Sequence, residues 1–227
     1  MDSILTVKDL KKSFKSGEVE THVLKGIDLE IKRGEFVAIT GRSGAGKSTL
    51  LYQMSLLDDP TSGTVVVEGR DARSMSEKEK SNFRLYKFGY VFQDYALLPE
   101  LTAIENVILP LIMERIDITI AHDKAETALR QVGLDHRLTN LPSQLSGGEQ
   151  QRVSIARAIA EKPDILFADE PTANLDNKSS DSVMDILKGL HNEGQTLVVV
   201  THEEKYWKFA NRVIHIDDGK IISIKEN

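Results

Sequence analysis

Three short stretches hold residues whose types and spacing could do chemistry. The first, Gly41-Arg42-Ser43-Gly44-Ala45-Gly46-Lys47-Ser48-Thr49, fits the pattern G-x-x-x-x-G-K-[ST]. Its glycines leave room for backbone N–H groups to wrap around phosphate oxygens, and a helix starting there adds partial positive charge. Lys47 is expected to reach the β- and γ-phosphates of a nucleoside triphosphate, and the Ser48 hydroxyl to ligate Mg²⁺. On these residues alone a kinase, a GTPase and a transport motor stay open.

The second stretch is Asp169-Glu170, which follows the apolar run Ile165–Ala168. In open α/β sheets ligands bind beyond the C-terminal ends of the strands, so two acids delivered there face a phosphate site. Strand alternation is expected to turn them in opposite directions, Asp169 toward Mg²⁺ through water and Glu170 toward the water that attacks the γ-phosphate. His202, just beyond a strand ending at Thr201, can act as the polar sensor, since phosphoryl transfer needs mostly positioning and charge stabilisation. The other five histidines (His22, His122, His136, His191 and His215) are read as surface or core residues.

The third stretch is Leu145-Ser146-Gly147-Gly148-Glu149-Gln150-Gln151-Arg152. Ser146 and Glu149 form a capping box ahead of the run Val153-Ser154-Ile155-Ala156. Two glycines in a first turn weaken a helix, and they suit a backbone that something must approach closely. An anion is the natural guest at a helix start, although the pattern does not say whose phosphate it is.

The elements that position these groups follow from periodicity. Ile27–Ile31 alternates apolar and acidic residues as a half-buried strand does, and with Val65–Val67 it predicts early antiparallel β structure. Glu35–Thr40 reads as a deeper strand leading into the glycine loop and a helix over Lys47–Leu57. From Ser76 to Val132 the character is that of charged helical segments, with a capping box at Thr102–Glu105 and Gly133 closing a helix over Ala121–Val132. The unbroken apolar runs Asp164–Ala168 and Thr196–Val200, separated by a helix around Ser182–Leu190, fit strands covered on both faces and hence a parallel sheet. Val213–Ile224 around Asp218-Gly219 is a hairpin signal. The expected fold is α/β, a P-loop ATPase core with a mostly parallel sheet, an N-terminal antiparallel β subdomain and a helical insert at about 94–160 in one domain, 1–227.

Composition bounds the function classes. The 227 residues, 40% hydrophobic and 28% charged, suit one folded α/β domain. A formal net charge of -6 argues against general nucleic-acid binding, which rests on clustered Lys and Arg. With no cysteine there is no disulfide or thiolate chemistry, and a cytoplasmic setting is expected. The opening Met1-Asp2-Ser3-Ile4-Leu5 lacks the pattern of a signal peptide, so export is not expected. The apolar stretch Val107–Met113, interrupted by Pro110, falls far short of the ~20 residues that span a bilayer, so any membrane role is peripheral.

Taken in order, these motifs resemble those of the nucleotide-binding subunits of ATP-binding-cassette (ABC) transporters over nearly the whole chain. Gly41–Thr49 is similar to the family's phosphate loop, and Val91-Phe92-Gln93-Asp94 to its glutamine loop. Leu145–Arg152 resembles the signature sequence, Asp169-Glu170-Pro171-Thr172 the acidic end of the Walker B strand, Ala173-Asn174-Leu175-Asp176 the D-loop, and Thr201-His202-Glu203 the switch histidine. The resemblance implies ATP and Mg²⁺ as ligands and a head-to-tail dimer of identical or related chains. Ser146, Gly147 and Gly148, within a motif that also includes Glu149, then bind the γ-phosphate of ATP held by the partner subunit. It implies that Gln93 ligates Mg²⁺ and that Phe14 stacks on adenine where tyrosine is more usual. Arg42 stands where proline is common, and Glu203 where aspartate often follows the histidine.

Residues 92–107 are most similar to the branch serving lipoprotein release and macrolide or peptide export, whose members often act as mechanical transmitters. The resemblance further implies separately encoded transmembrane permease subunits, docked around Tyr95–Leu101 on the cytoplasmic face of the cell membrane. A soluble ABC ATPase of DNA repair or translation is the rival reading. Such chains carry a long coiled coil or two cassettes in tandem, and this sequence shows neither. A purely regulatory module would lack the base, whereas Glu170 is present.

Overall fold

Chain segments rich in β-branched and apolar residues form two sheets in the computed structural model, which describes residues 2–17 and 19–227. Met1, at the head of the segment read against a signal peptide, lies outside the described residues. The first sheet is antiparallel, in the order β2-β1-β4-β5: β1 (Ser3–Ser16), β2 (Val19–Lys32), β4 (Ser62–Val67) and β5 (Arg70–Asp71). The second has the order β10-β9-β3-β8-β7-β6: β3 (Phe36–Thr40), β6 (Phe88–Val91), β7 (Ile165–Asp169), β8 (Thr196–Val200), β9 (Arg212–Asp217) and β10 (Lys220–Glu226). All its pairings are parallel except that of β9 with β10. The mixed α/β architecture read from the sequence is therefore present.

Alternation along the parallel strands divides the core. Phe36, Ala38, Leu166, Ala168, Leu197 and Val199 face α3 (Ala103–Met113), α4 (Ile118–Gln131), α5 (Gly147–Ile159) and α6 (Asn177–Asn192). Val37, Ile39, Ile165, Phe167, Val198 and Val200 face α1 (Lys47–Met54), α2 (Glu77–Tyr86) and the antiparallel sheet. A short α7 (Glu204–Trp207) follows β8. Strands buried on both faces carry near-continuous apolar sequence, which is why β3, β7 and β8 were readable.

Two expectations need correction. The stretch 76–132 is not wholly helical, because Phe88–Val91 forms β6 at the edge of the parallel sheet. Four residues are too few to show a period, and Gly89 obscures them further. A Cβ on Gly89 would meet Ala158 O at 2.4 Å, so the glycine is there to let α5 lie against the strand. The helix expected from Ala121 begins earlier, at Ile118, where the Asp117 side chain accepts from Thr119 N–H at 2.9 Å. The box at Thr102–Glu105 and the left-handed Gly133, φ 73°, are as expected.

The β9–β10 turn joins the two sheets. Asp218 and Gly219 both have positive φ, 45° and 73°, as a two-residue hairpin turn demands. Gly219 N–H donates to Ala45 O at 3.1 Å, and Gly219 O accepts from Lys25 N–H at 2.9 Å. A Cβ on Gly219 would lie 2.3 Å from Val23 O, whereas one on Gly69, φ 76°, would meet nothing within 4 Å. Gly69→Ala is thus expected to lower stability by about 1 kcal/mol through backbone strain alone. Gly219→Ala is expected to cost about 2–3 kcal/mol, since a fixed carbonyl also blocks the methyl. Urea unfolding of both variants checks the difference.

Candidate functional site

The glycine loop opens directly from buried β3. Gly41, φ 148°, has no space for a side chain, since a Cβ would sit 2.1 Å from Ile216 O. Gly46, φ 100°, is pressed in the same way against Leu24 Cδ2 at 2.9 Å and Val23 O at 3.0 Å. Arg42, Ser43 and Gly44 are exposed, Ala45 and Gly46 are buried, and Ser48 and Thr49 are half-buried. The first hydrogen bond of α1 runs from Leu50 N–H to Gly46 O at 2.8 Å, so the preceding N–H groups have no helical partners. Lys47 has a buried side chain, 7% exposed, and its Nζ donates to Arg42 O at 3.0 Å, which holds the cation inside the loop.

Both acids at the end of β7 reach this helix start. Ser48 Oγ donates to Asp169 Oδ1 at 2.9 Å, and Lys47 Nζ lies 3.7 Å from Glu170 Oε1. His202 Nδ1 is 3.5 Å from Glu170 Oε2, with the ring 58% exposed. Simple alternation does not aim Glu170. Asp169 ends the strand, and Glu170 takes a left-handed backbone, φ 43°, that swings its carboxylate to the lysine and the histidine. Burial pushes the Asp169 carboxyl above its ordinary value, opposed by the Ser48 hydrogen bond and raised further by the charge of Glu170. A buried carboxylate held above its usual range gains from a cation beside it.

The capping box that opens the second helix start is built as its sequence foretold. Ser146 caps α5, accepting from Glu149 N–H, and the Glu149 carboxylate accepts from Ser146 N–H at 2.8 Å and Ser146 Oγ at 2.9 Å. Arg137 Nε, 3.1 Å from Glu149 Oε1, fixes that carboxylate from its other side. The close neighbours of the glycines belong to this chain: a Cβ on Gly147 would meet the Tyr95 hydroxyl at 2.8 Å, and one on Gly148 would meet Ser179 Oγ at 2.7 Å. Internal packing thus disfavours a Cβ at both positions, whatever else approaches their backbone. Ser146 remains exposed at the surface.

The segment between β6 and α3 is held by residues that sequence reasoning missed. Arg157 on α5 donates to Ala96 O at 2.6 Å and Tyr95 O at 3.0 Å, clamping two left-handed residues with φ 64° and 49°. An arginine inside the apolar run Ile155–Ile159 was the available signal. Asn174 Nδ2 donates to Gln93 O at 3.1 Å, which steadies the backbone there and leaves Gln93 at the surface. Glu203 accepts from the Thr172 hydroxyl at 2.7 Å, linking the loops that follow β7 and β8. Phe14, on β1, is 48% exposed.

The residues present fit a magnesium nucleotide. A hydroxyl, a carboxylate and a surface amide are the hard oxygen donors that Mg²⁺ prefers. Among the described residues no cluster of three or more His, Cys, Asp or Glu forms, and a Mg²⁺ held largely by phosphate oxygens and water requires none. The glycine loop, in which a Cβ on Gly41 or Gly46 would strike neighbouring protein atoms, presents N–H groups at a helix start to phosphate oxygens.

This geometry is that of the P-loop nucleoside triphosphatases. The sequence profile of the ABC transporter family matches residues 24–173. The lipoprotein-releasing system ATP-binding protein LolD of Geobacter metallireducens is 48% identical over 224 residues, covering 98% of this chain and 100% of LolD. The macrolide export ATP-binding/permease protein MacB of Mannheimia succiniciproducens is 46% identical over 220 residues, which are 97% of this chain and 34% of MacB. The solved dimeric post-hydrolysis state of the ATP-binding cassette MJ0796, bound to ADP and Pi, superposes with a TM-score of 0.91 at 40% identity, over 98% of both chains.

The chain belongs to the ABC transporter family, as an ATP-binding subunit that hydrolyses ATP. The branch expected from residues 92–107 is the one these LolD and MacB relatives represent.

Burial of Asp169 has a measurable consequence. A carboxyl whose folded value is raised binds its proton more tightly in the folded chain, so it withdraws stability as pH rises through the raised value. Without nucleotide or metal, Asp169→Asn is expected to raise the urea midpoint at pH 8, and to do so by less at pH 5. A gain equal at both pH values would contradict the assignment.

Proposed function

We propose that the chain works as one half of a pair, with a second copy or a related chain. In that pair each ATP, with Mg²⁺, lies between Gly41–Thr49 of one subunit and Ser146–Gly148 of the other. The observation that carries this reading is the exposed, fully capped start of α5 at Ser146, in a fold whose solved relative with ADP and Pi is a dimer. Glu149 keeps the Ser146 hydroxyl oriented for that contact.

Within one subunit Phe14 stacks on adenine, and the backbone from Gly41 to Thr49, with Arg42, Ser43, Gly44, Ala45 and Gly46 between, cradles the phosphates. Lys47 neutralises the β- and γ-phosphates. Ser48 and Gln93 ligate Mg²⁺ and Asp169 holds it through water; the ion when bound withdraws negative charge from the phosphate oxygens. Glu170 accepts a proton from the attacking water, and His202, 3.5 Å away, orients that carboxylate and meets the γ-phosphate.

The pair is proposed to drive separately encoded membrane permease subunits from the cytoplasmic face, in lipoprotein release, export or mechanotransmission. The full-length match to LolD supports this, as does the match of the chain to the cassette third of MacB. No helix among the described residues is long and apolar enough to cross a membrane. Residues 1–227 act as one ATPase domain, and the helical insert at about 94–160 carries the permease contact. Within it the segment Tyr95–Leu101 is held by Arg157 at Tyr95 and Ala96 and by Asn106 at Leu98 and Leu101, and Leu98 is 44% exposed.

Glu170→Gln is expected to bind ATP, to hydrolyse it roughly 10²–10⁴-fold more slowly, and to accumulate as a dimer in sizing chromatography. A variant that stays monomeric at saturating ATP and Mg²⁺ would count against the pair. Lys47→Ala is expected to fail earlier, at nucleotide binding, with the fold intact by circular dichroism. Hydrolysis indifferent to every reconstituted permease would remove the transport reading and leave the ATPase.

A further inference from the structure

Lys12 is a cation that neither the phosphate cradle nor the acid pair uses. Its side chain is 12% exposed, which for a lysine means the ammonium has exchanged most of its water for protein partners. Those partners are well defined: Nζ lies 2.8 Å from Asp58 Oδ1 and 2.7 Å from Asp59 O. The second Asp58 oxygen accepts from Gln53 Nε2 at 2.9 Å, and Gln53 is fully buried on α1, the helix that begins at the phosphate loop. The same ammonium lies over the Phe14 ring, 5.0 Å from its centroid, while 48% of Phe14 remains open to solvent.

The surrounding backbone is fastened in the same direction. Ser13 N–H donates to Thr61 Oγ1 at 2.9 Å, and Thr61 N–H donates to Lys11 O at 2.9 Å. The segment following α1 is therefore clasped to β1 on either side of Lys12. A surface lysine serving solubility alone would show neither these oxygen contacts nor the aromatic one.

We propose that Lys12 is a positioning residue for the base of the nucleotide, setting Phe14 as a stacking platform and tying it to α1. Two physical effects combine. The ammonium occupies one ring face and fixes the side-chain rotamer, so the platform is ordered before nucleotide arrives. A cation on one face also draws π density toward itself, which makes the opposite face less negative and a better partner for an electron-rich purine. Through Asp58 and Gln53 the platform is mechanically joined to α1, and base and triphosphate are thereby registered by one rigid linkage.

This inference rests on the reading of Phe14 as the adenine platform, and the test separates the two. Isothermal titration measures ATP, and separately inorganic tripolyphosphate, against the wild type and Lys12→Met, Lys12→Arg, Asp58→Asn, Phe14→Ala and the Lys12→Met/Phe14→Ala double variant. Lys12→Met is expected to weaken ATP about three- to fivefold and to leave tripolyphosphate unchanged, with Lys12→Arg restoring the wild-type value. In the Phe14→Ala background the lysine substitution is expected to have no further effect. Asp58→Asn, which keeps the cation and loosens its anchor, gives a smaller loss confined to ATP.

Equal losses for ATP and tripolyphosphate in both the Lys12 and Asp58 variants would overturn the proposal in favour of a general structural role. Loss of ATP affinity in Phe14→Ala with none in Lys12→Met would overturn it while the platform reading stands. An unchanged ATP affinity in Phe14→Ala would remove the platform itself.

Discussion

Gly219 has one N–H and one C=O, and the whole nucleotide site is referenced to where they go. The N–H holds Ala45 of the phosphate loop at 3.1 Å, and the C=O holds Lys25 of β2 at 2.9 Å. The two groups lie in successive peptide planes hinged at the Gly219 Cα, whose φ of 73° is set by the hairpin turn, so the loop held through one plane is tied to the sheet held through the other. The antiparallel sheet carries Phe14 and the parallel sheet carries the acids. This turn joins the two sheets in addition to the core they share.

At the other end of the cradle, the bond between Ser48 and Asp169 joins α1 to β7. Asp169 is buried and disfavoured as an ion, whereas Glu170 stands between a lysine and a histidine. Adjacent carboxylates thus meet different surroundings, and this is how one strand end can serve two chemical purposes. Glu203, reaching back to Thr172, keeps the loop bearing His202 level with the loop bearing Glu170.

Much of this was readable because the signals are local. The cradle was readable because its pattern occupies nine consecutive residues, even though the atoms that crowd Gly41 and Gly46, from Ile216, Val23 and Leu24, lie elsewhere in the chain. Strands buried on both faces declare themselves in apolar runs, and caps declare themselves at fixed offsets. What stayed hidden depends on partners far along the chain, such as Arg157 meeting Tyr95 across 62 positions. The strand β6 hid because four residues around a glycine carry no period. Gly147 and Gly148 were seen, but their internal neighbours Tyr95 and Ser179, 52 and 31 positions away, were not. Alternation failed at Glu170 because the strand ends one residue too soon.

Glu170, Tyr95 and Ala96 share a feature with a wider meaning: none is glycine, yet all adopt left-handed backbone, with φ 43°, 64° and 49°. Such conformations cost of order 1–3 kcal/mol each and persist where surrounding structure over-determines them. Glycine at any of the three would ease the chain. It would also delete the carboxylate, the ring or the methyl that the bent backbone presents. Relief of backbone strain and retention of the presented group consequently pull these positions in opposite directions, and selection for melting temperature alone would strip the side chains from them.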